Sequence, residues 1–179
     1  MSKPESGLFK GTSGIDDFYG DAESIIASRV KGLDLSPHPI TQKQLSSKKR
    51  KQIEGKIENR TATKKEYSQY MWNRRFQKRR KQAIKRFWVQ EKARILIGLQ
   101  PTRPWSAEQR NKILNNQTPQ FNGVSLQAHH SYSASEFPHL ANLGEVIYPA
   151  TNKEHLKAWH GGNYKKSIPG KRIKKMRQF

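Results

Sequence analysis

The crowding of the histidines constrains this chain more than any other feature. Five of the six histidines lie within residues 129–160, namely His129, His130, His139, His155 and His160. Imidazole is a common metal ligand and titrates near neutral pH, so the cluster indicates a metal-binding or reactive centre. The chain has no cysteine, which excludes disulfides, cysteine-zinc sites and cysteine nucleophiles. The fold therefore has to gather residues 129–160 around a centre built from histidine.

Charge is distributed in blocks around that stretch. The chain holds 35 Lys and Arg against 14 Asp and Glu, a formal net charge of +21. Residues 41–100 carry nineteen basic and four acidic residues, and residues 151–179 carry nine and one, whereas residues 101–150 balance at three each. Such an excess indicates a polyanionic partner, with nucleic acid ahead of an anionic membrane surface. Two basic blocks thus flank a neutral segment that holds most of the histidines.

The first two thirds of the chain are predicted to be an arm followed by basic helices. Residues 1–40 are rich in Gly, Ser, Asp and Pro and are typical of a linker or loosely packed arm. Residues 41–120 form the predicted basic helical region. Capping boxes at Thr63–Glu66 and Ser106–Gln109 mark two helix starts, and the expected helices span residues 21–30, 46–58, 64–97 and 107–115.

The histidine-rich segment has the pattern of a small strand–loop–strand–helix unit. Asn122-Gly123 predicts a turn before a strand over 124–129, and residues 145–148 are a second strand candidate. A third capping box, Thr151–Glu154, starts a helix that must stop at Gly161-Gly162. Residues 121–179 are therefore predicted to be one unit, a finger at 121–162 with a basic tail.

His129 and His130 are adjacent at the end of a predicted strand, so their side chains point to opposite faces. One could bind a metal ion while the other faces the substrate and takes a proton from water. His155 and His160 are five residues apart, which on an ideal α-helix is a rotation of about 140°. They converge on one ion only if the helix ends or tightens before His160.

These residues, taken in order, carry a resemblance. The run Ala128-His129-His130, then Pro138, Asn142, Thr151, Glu154-His155 and Trp159-His160-Gly-Gly-Asn163 resembles the HNH superfamily. More narrowly, it is similar to the GHH/LHH nuclease modules at the C-termini of polymorphic bacterial toxins, including LXG-type secreted effectors. The resemblance implies an α+β protein with a ββα-metal finger around one divalent cation (Zn, Ni, Co, Mn or Mg).

The resemblance also implies roles for single residues. His129, His155 and His160 would be the metal ligands, and His130 would be the general base. The family's central Asn braces the loop of the finger; Asn142 is the candidate for it, with Glu145 as the alternative. Basic residues are expected to contact phosphates, and the candidates are Arg74, Arg75, Lys78, Arg79, Arg80, Lys81, Lys165 and Lys166. The alternative for the helical ones is an ordinary solvated face.

The implied function is a metal-dependent endonuclease toxin that hydrolyses phosphodiester bonds with little sequence specificity, with DNA ahead of RNA as the substrate. An acidic cognate immunity protein is the implied partner. No apolar run approaches the length of a membrane span and the N-terminus lacks an apolar signal-peptide core. We therefore expect secretion by a non-classical route or within a larger effector, with action in the target-cell cytoplasm. The alternatives are a nucleic-acid-binding protein with a structural zinc and a membrane-active basic toxin.

Overall fold

Helices come first in the chain and a small β-structure follows, which makes this an α+β protein. The computed structural model describes residues 21–40, 43–176 and 179. The helices are α1 (Ala22–Arg29), α2 (Ser47–Glu58), α3 (Lys64–Leu96) and α4 (Ala107–Leu114). The strands are β1 (Gln120–Phe121), β2 (Val124–Ser125), β3 (Gln127–His130) and β4 (Ile147–Ala150). A 3₁₀ turn at Gly144–Val146 precedes β4, and a π-helical segment at Glu154–Trp159, the site helix, follows it.

The four predicted helices are confirmed to within one residue at each end, because their caps form as the sequence indicates. At the start of α3, the Thr63 hydroxyl accepts from the Glu66 N–H, and the Glu66 carboxylate accepts from the Thr63 N–H. Ser106 and Gln109 make the same reciprocal pair at the start of α4. Residues 1–20 of the predicted arm and residues 41–42 of the predicted helical region lie outside the described residues. The division of the chain at residues 40 and 120 remains a prediction.

Helix α3 is the support on which the rest of the fold packs. Phe76, Ala83, Phe87 and Glu91 recur at helical spacing and are buried on one face. The Glu91 carboxylate is fully buried and accepts from the Thr102 N–H at 2.7 Å and from the Trp105 indole N–H at 2.7 Å. These bonds fix the direction of the chain after α3 and lead it to α4.

The two hairpins follow the predicted order, with two corrections to the strand bounds. Asn122 and Gly123 both have positive φ, 49° and 76°, which is the turn that closes a tight hairpin. The single strand predicted over 124–129 is divided in two, because Leu126 turns inward and is buried beside Trp105. The strand predicted over 145–148 begins at Ile147, because the 3₁₀ turn occupies the residues before it.

The described part of the predicted arm is not loose. Ile26 and Val30 of α1 are buried in the finger's core with Tyr148 and Trp159. The tail closes over the same helix, since the Arg172 guanidinium makes two hydrogen bonds of 2.9 Å to the Glu23 carboxylate. Within the described residues, no helix combines the length and apolarity needed to span a bilayer.

Candidate active site

Three of the clustered histidines converge. His129 lies on β3, whereas His155 and His160 lie in and just after the site helix. Each of the three residues places one ring nitrogen within 4.8 Å of a ring nitrogen of each of the other two. The ring centroids of His129 lie 5.1 Å from His155 and 5.0 Å from His160. The structure thus brings together the three residues predicted to hold a metal ion.

The winding of the site helix makes this convergence possible. The His160 N–H donates to the His155 carbonyl at 3.2 Å, a bond that spans five residues instead of the four of an α-helix. In this wider turn, side chains five residues apart therefore lie on the same side of the helix. The Nε2 atoms of His155 and His160 are 3.2 Å apart as a result. Gly161 and Gly162, with φ of 57° and 87°, then end the helix.

The outer nitrogens of two of these rings are held by oxygen acceptors. His155 Nδ1 donates to Gln127 Oε1 at 2.6 Å, and His160 Nδ1 donates to the Lys166 carbonyl at 2.7 Å. Each Nδ1 therefore carries a proton, and each ring turns its Nε2 toward the centre. Gln127 is not among the predicted site residues, and Lys166 was predicted only as a phosphate contact. The signal for Gln127 was available, because it lies two residues before His129 on the same face of β3.

Burial keeps His129 and His155 uncharged. It holds the pKa of His129 well below its usual range, and the neighbouring His155 and His160 lower it further. Burial, reinforced by His160, lowers the pKa of His155 to about 4. Both imidazoles are then neutral at neutral pH, which is the form that binds a metal ion.

The residues present fit a divalent cation. The lone pairs of the two facing Nε2 atoms, 3.2 Å apart, repel each other unless a proton or cation lies with them. Three protein ligands are the usual complement of a catalytic site, whereas structural sites are closed by four. A set of nitrogen donors suits Zn, Ni, Co or Mn better than Mg.

His130 faces away from this triad, as its place on the strand predicts. Its Nε2 donates to the Ala141 carbonyl at 3.1 Å, which leaves Nδ1 as the basic nitrogen. Burial lowers the pKa of His130 to about 4; the bond to Ala141 opposes this shift and the Arg80 charge adds to it. The ring is neutral and held in one orientation, which is the state a general base requires.

The loop that carries Ala141 is fastened to α3. Arg79 donates to Asn142 Oδ1 at 3.1 Å, and Arg86 donates to the Asn142 carbonyl at 2.8 Å. The Glu145 carboxylate accepts from the Gln90 amide at 3.2 Å. Asn142 and Glu145, the two candidates for the bracing role, thus both hold the loop against α3. Asn142 follows Ala141 directly, and its bonds in the described structure go to arginines of α3, so it positions His130 indirectly.

The sequence around this site also matches a known family. Residues 71–151 match the family model described as "GHH signature containing HNH/Endo VII superfamily nuclease toxin". This segment, which we refer to as the GHH domain, is similar to nuclease toxin domains of the HNH/Endo VII superfamily that carry a GHH signature. The match includes His129, His130 and Asn142, whereas His155 and His160 lie beyond its end. No curated protein matches the chain.

The predicted phosphate contacts of the GHH domain and its tail divide into two groups. Six are exposed: Arg74, Arg75, Lys78, Lys81, Lys165 and Lys166. Three of these line a groove of about 380 Å³ between α2 and α3, together with Arg50 and Tyr70. Arg79 and Arg80 differ, because both are half-buried and belong to the face of α3 that meets the finger. Arg79 holds the loop, whereas Arg80 bonds to Gln77 of its own helix.

Proposed function

We propose that this GHH domain is a divalent-metal-dependent endonuclease toxin that hydrolyses phosphodiester bonds of DNA, with RNA as the second substrate. The observation that carries the proposal is the pairing of an open three-histidine cluster with an oriented, neutral His130 on the other face of the same strand. In this proposal residues 121–179 carry the chemistry and residues 41–120 bind the nucleic acid.

Catalysis begins at His130. Its unprotonated Nδ1 takes a proton from a water molecule that attacks phosphorus in line with the leaving 3′-oxygen. The Ala141 carbonyl, 3.1 Å from Nε2, holds the ring during the attack and stabilises the imidazolium that forms. A divalent cation held by His129, His155 and His160 would supply Lewis-acid neutralisation of the phosphate charge. No side chain of the protein forms a covalent intermediate.

Low sequence specificity follows from the kind of surface that surrounds the site. The exposed basic side chains of α3 can contact phosphates, which position a nucleic acid but carry no base information. The nineteen basic residues of 41–100 against four acidic ones supply affinity through release of counterions.

The other two functions fit the observations less well. A structural zinc needs a closed cage of four ligands, whereas the histidine cluster of the described residues has three. A membrane-active toxin needs a long exposed apolar face, whereas the apolar face of α3, with Phe76, Ala83 and Phe87, is buried against the finger. A nuclease toxin implies an effector that acts in target cells. We propose that action in the target-cell cytoplasm, non-classical secretion or release from a larger effector, and an acidic immunity protein complete its biology.

Plasmid nicking tests the proposal. Purified protein is treated with chelator, and Zn, Ni, Co, Mn and Mg are added back one at a time. We expect cleavage only with added ion. His130→Ala should lower the rate about 10²–10⁴-fold and leave the calorimetric metal affinity intact, whereas His155→Ala and His160→Ala should weaken that affinity. His139→Ala is the matched control, because its ring lies outside the cluster and bonds to the Asp34 carbonyl.

Cleavage that persists in chelator would refute metal dependence. If His130→Ala lost the metal ion and His129→Ala kept it, the roles of these two residues would have to be exchanged.

A further inference from the structure

Arg80 occupies an unusual place on α3. It lies four residues after Phe76 and three before Ala83, both buried, so it belongs to the helix face that meets the finger. Phe76 packs on Ala141, the residue whose carbonyl holds His130. Ala83 packs on the other side with Ile147 and Ala128.

His130 is turned toward this same place. Ala128 and His130 are two residues apart on β3 and share one face of the strand, and Ala128 packs with Ala83 of α3. Arg80 and His130 are therefore neighbours across the contact between helix and strand.

The Arg80 guanidinium lacks the partners that similar arginines have. Its Nε is buried without a hydrogen-bond partner, and its Nη1 reaches only Gln77 Oε1, at 3.3 Å. Within the described part of the chain it forms no salt bridge. By contrast, three other inward-facing arginines each pair with a carboxylate at 2.7–2.9 Å: Arg94 with Glu91, Arg103 with Glu154, and Arg172 with Glu23. Two half-buried arginines that form no salt bridge with the described residues donate instead to well-placed oxygens: Arg29 to the Thr102 hydroxyl at 2.8 Å, and Arg79 to Pro138 and Asn142 at 3.1 Å.

A half-buried cation without a counterion destabilises the protein, because its desolvation is not compensated. Such a group is expected where a ligand supplies the missing charge. The exposed arginines of α3 have no such deficit, since water solvates them. An anion bound beside His130 would supply the negative charge that Arg80 lacks.

We propose that Arg80 binds a non-bridging oxygen of the scissile phosphate and stabilises the charge that this group gains in the transition state. The inference rests on the proposed nuclease function and adds a catalytic residue to it. As the bond from water oxygen to phosphorus forms, the water proton passes to His130 Nδ1. The bond to the 3′-oxygen breaks, and this oxygen keeps the bonding pair and takes a proton from solvent to leave as a hydroxyl. Arg80 keeps its own protons and contributes only its charge and N–H donors.

The test compares Arg80→Gln with Lys31→Gln, which removes the same charge from an exposed position outside residues 41–120. Single-turnover rates on a saturating oligonucleotide duplex should fall about 10²–10³-fold in Arg80→Gln, as for loss of one transition-state donor. Its KM should change little. Arg80→Lys should recover part of the rate, because it restores the charge without the planar fork. Lys31→Gln should cleave at nearly the wild-type rate.

A substrate change separates this role from a structural one. In a duplex with a neutral methylphosphonate at the scissile position, the charge that Arg80 would neutralise is missing. The ratio of wild-type to Arg80→Gln rates should then collapse toward one, as in a double-mutant cycle between interacting groups. The melting temperature of Arg80→Gln should equal or exceed that of the wild type, since an unpaired buried charge has been removed. If Arg80→Gln does not fold, Arg80→Met takes its place in these comparisons.

Three results would overturn the proposal: equal rates for Arg80→Gln and Lys31→Gln, a rate ratio unchanged by the methylphosphonate, or a lowered melting temperature that accounts for the lost rate. A wild-type protein that cleaves neither DNA nor RNA would instead refute the nuclease function, and the role of Arg80 with it.

Discussion

Replacing Glu154 tests whether a buried ion pair holds the site helix in place. Glu154 caps the helix by accepting from the Thr151 N–H at 2.9 Å. It also accepts twice from the Arg103 guanidinium, at 2.9 Å each. The side chains of Arg103 and Glu154 are only 5% and 6% exposed. Glu154→Gln keeps the shape and one acceptor but leaves the Arg103 charge buried without its counterion.

The expected loss is large. Removing one partner of a buried pair costs about 3–5 kcal/mol, and the remaining amide oxygen places Glu154→Gln near the lower value. A loss of about 3 kcal/mol is a sizeable part of the 5–15 kcal/mol that stabilises a typical domain. It should lower the melting temperature by about 6–12 °C in a chain of this size.

The assay is thermal and urea unfolding followed by tryptophan fluorescence, with chelator present so that metal binding does not contribute. Glu66→Gln is the matched control, because Glu66 also closes a capping box and pairs with a cation, Lys56, but at the surface. We expect Glu66→Gln to unfold much closer to the wild type. Glu154→Met combined with Arg103→Met should recover most of the loss, since apolar replacement of a whole buried pair is often neutral. Equal effects of Glu154→Gln and Glu66→Gln would refute the reasoning.

Two further predictions concern the metal ligands and the basic surface. Gln127→Ala should weaken metal affinity about 10–100-fold, because it frees the His155 ring to rotate and change tautomer. Calorimetry measures this affinity, with His139→Ala as the control. An unchanged affinity would show that Gln127 does not orient the His155 ring. The second variant replaces four exposed basic residues with Gln: Arg74, Arg75, Lys78 and Lys81. The slope of log affinity against log salt should become shallower by up to about 0.9 for each phosphate that is no longer neutralised, and single-turnover rates at saturation should not change. An unaltered slope would assign DNA binding to the tail.

Much of the fold could be predicted because its signals are local. Each long helix begins at a capping box or a capping serine, and the Asn122-Gly123 turn is specified by two neighbouring residues. The convergence of His129, His155 and His160 could also be predicted, since the order and spacing of the histidines carry a resemblance to the HNH superfamily. The family match over residues 71–151 covers only His129 of the three. The strand bounds could not, because burial of Leu126 depends on Trp105, twenty-one positions earlier in the chain.

The roles of the basic residues show where sequence reasoning stops. Arg79 and Arg80 belong to a run of like residues with Lys78 and Lys81, and composition does not distinguish them. Only the packing of α3 against the finger separates two inward-facing arginines from the exposed ones. The prediction treated all of them as phosphate contacts, yet Arg79 holds Pro138 and Asn142. The same limit applies to α1, whose apolar residues have no visible partner until the finger is built.

The π-helical winding of the site is the feature that links stability to function. Such turns are uncommon and are often found at functional sites, and here the winding turns two histidines spaced five apart toward one point. The surroundings hold this geometry without a metal ion: Glu154 is fixed by Arg103 at the start of the helix, and the Lys174 N–H donates to the Ala158 carbonyl at 3.0 Å near its end. Three imidazoles are thereby kept in contact before any cation binds. Since a cation bound only by the folded state adds to its stability, the free energy of ligation can offset the cost of this arrangement. The ion pair at Glu154 should therefore matter most in the protein without metal, and least when the three histidines are ligated.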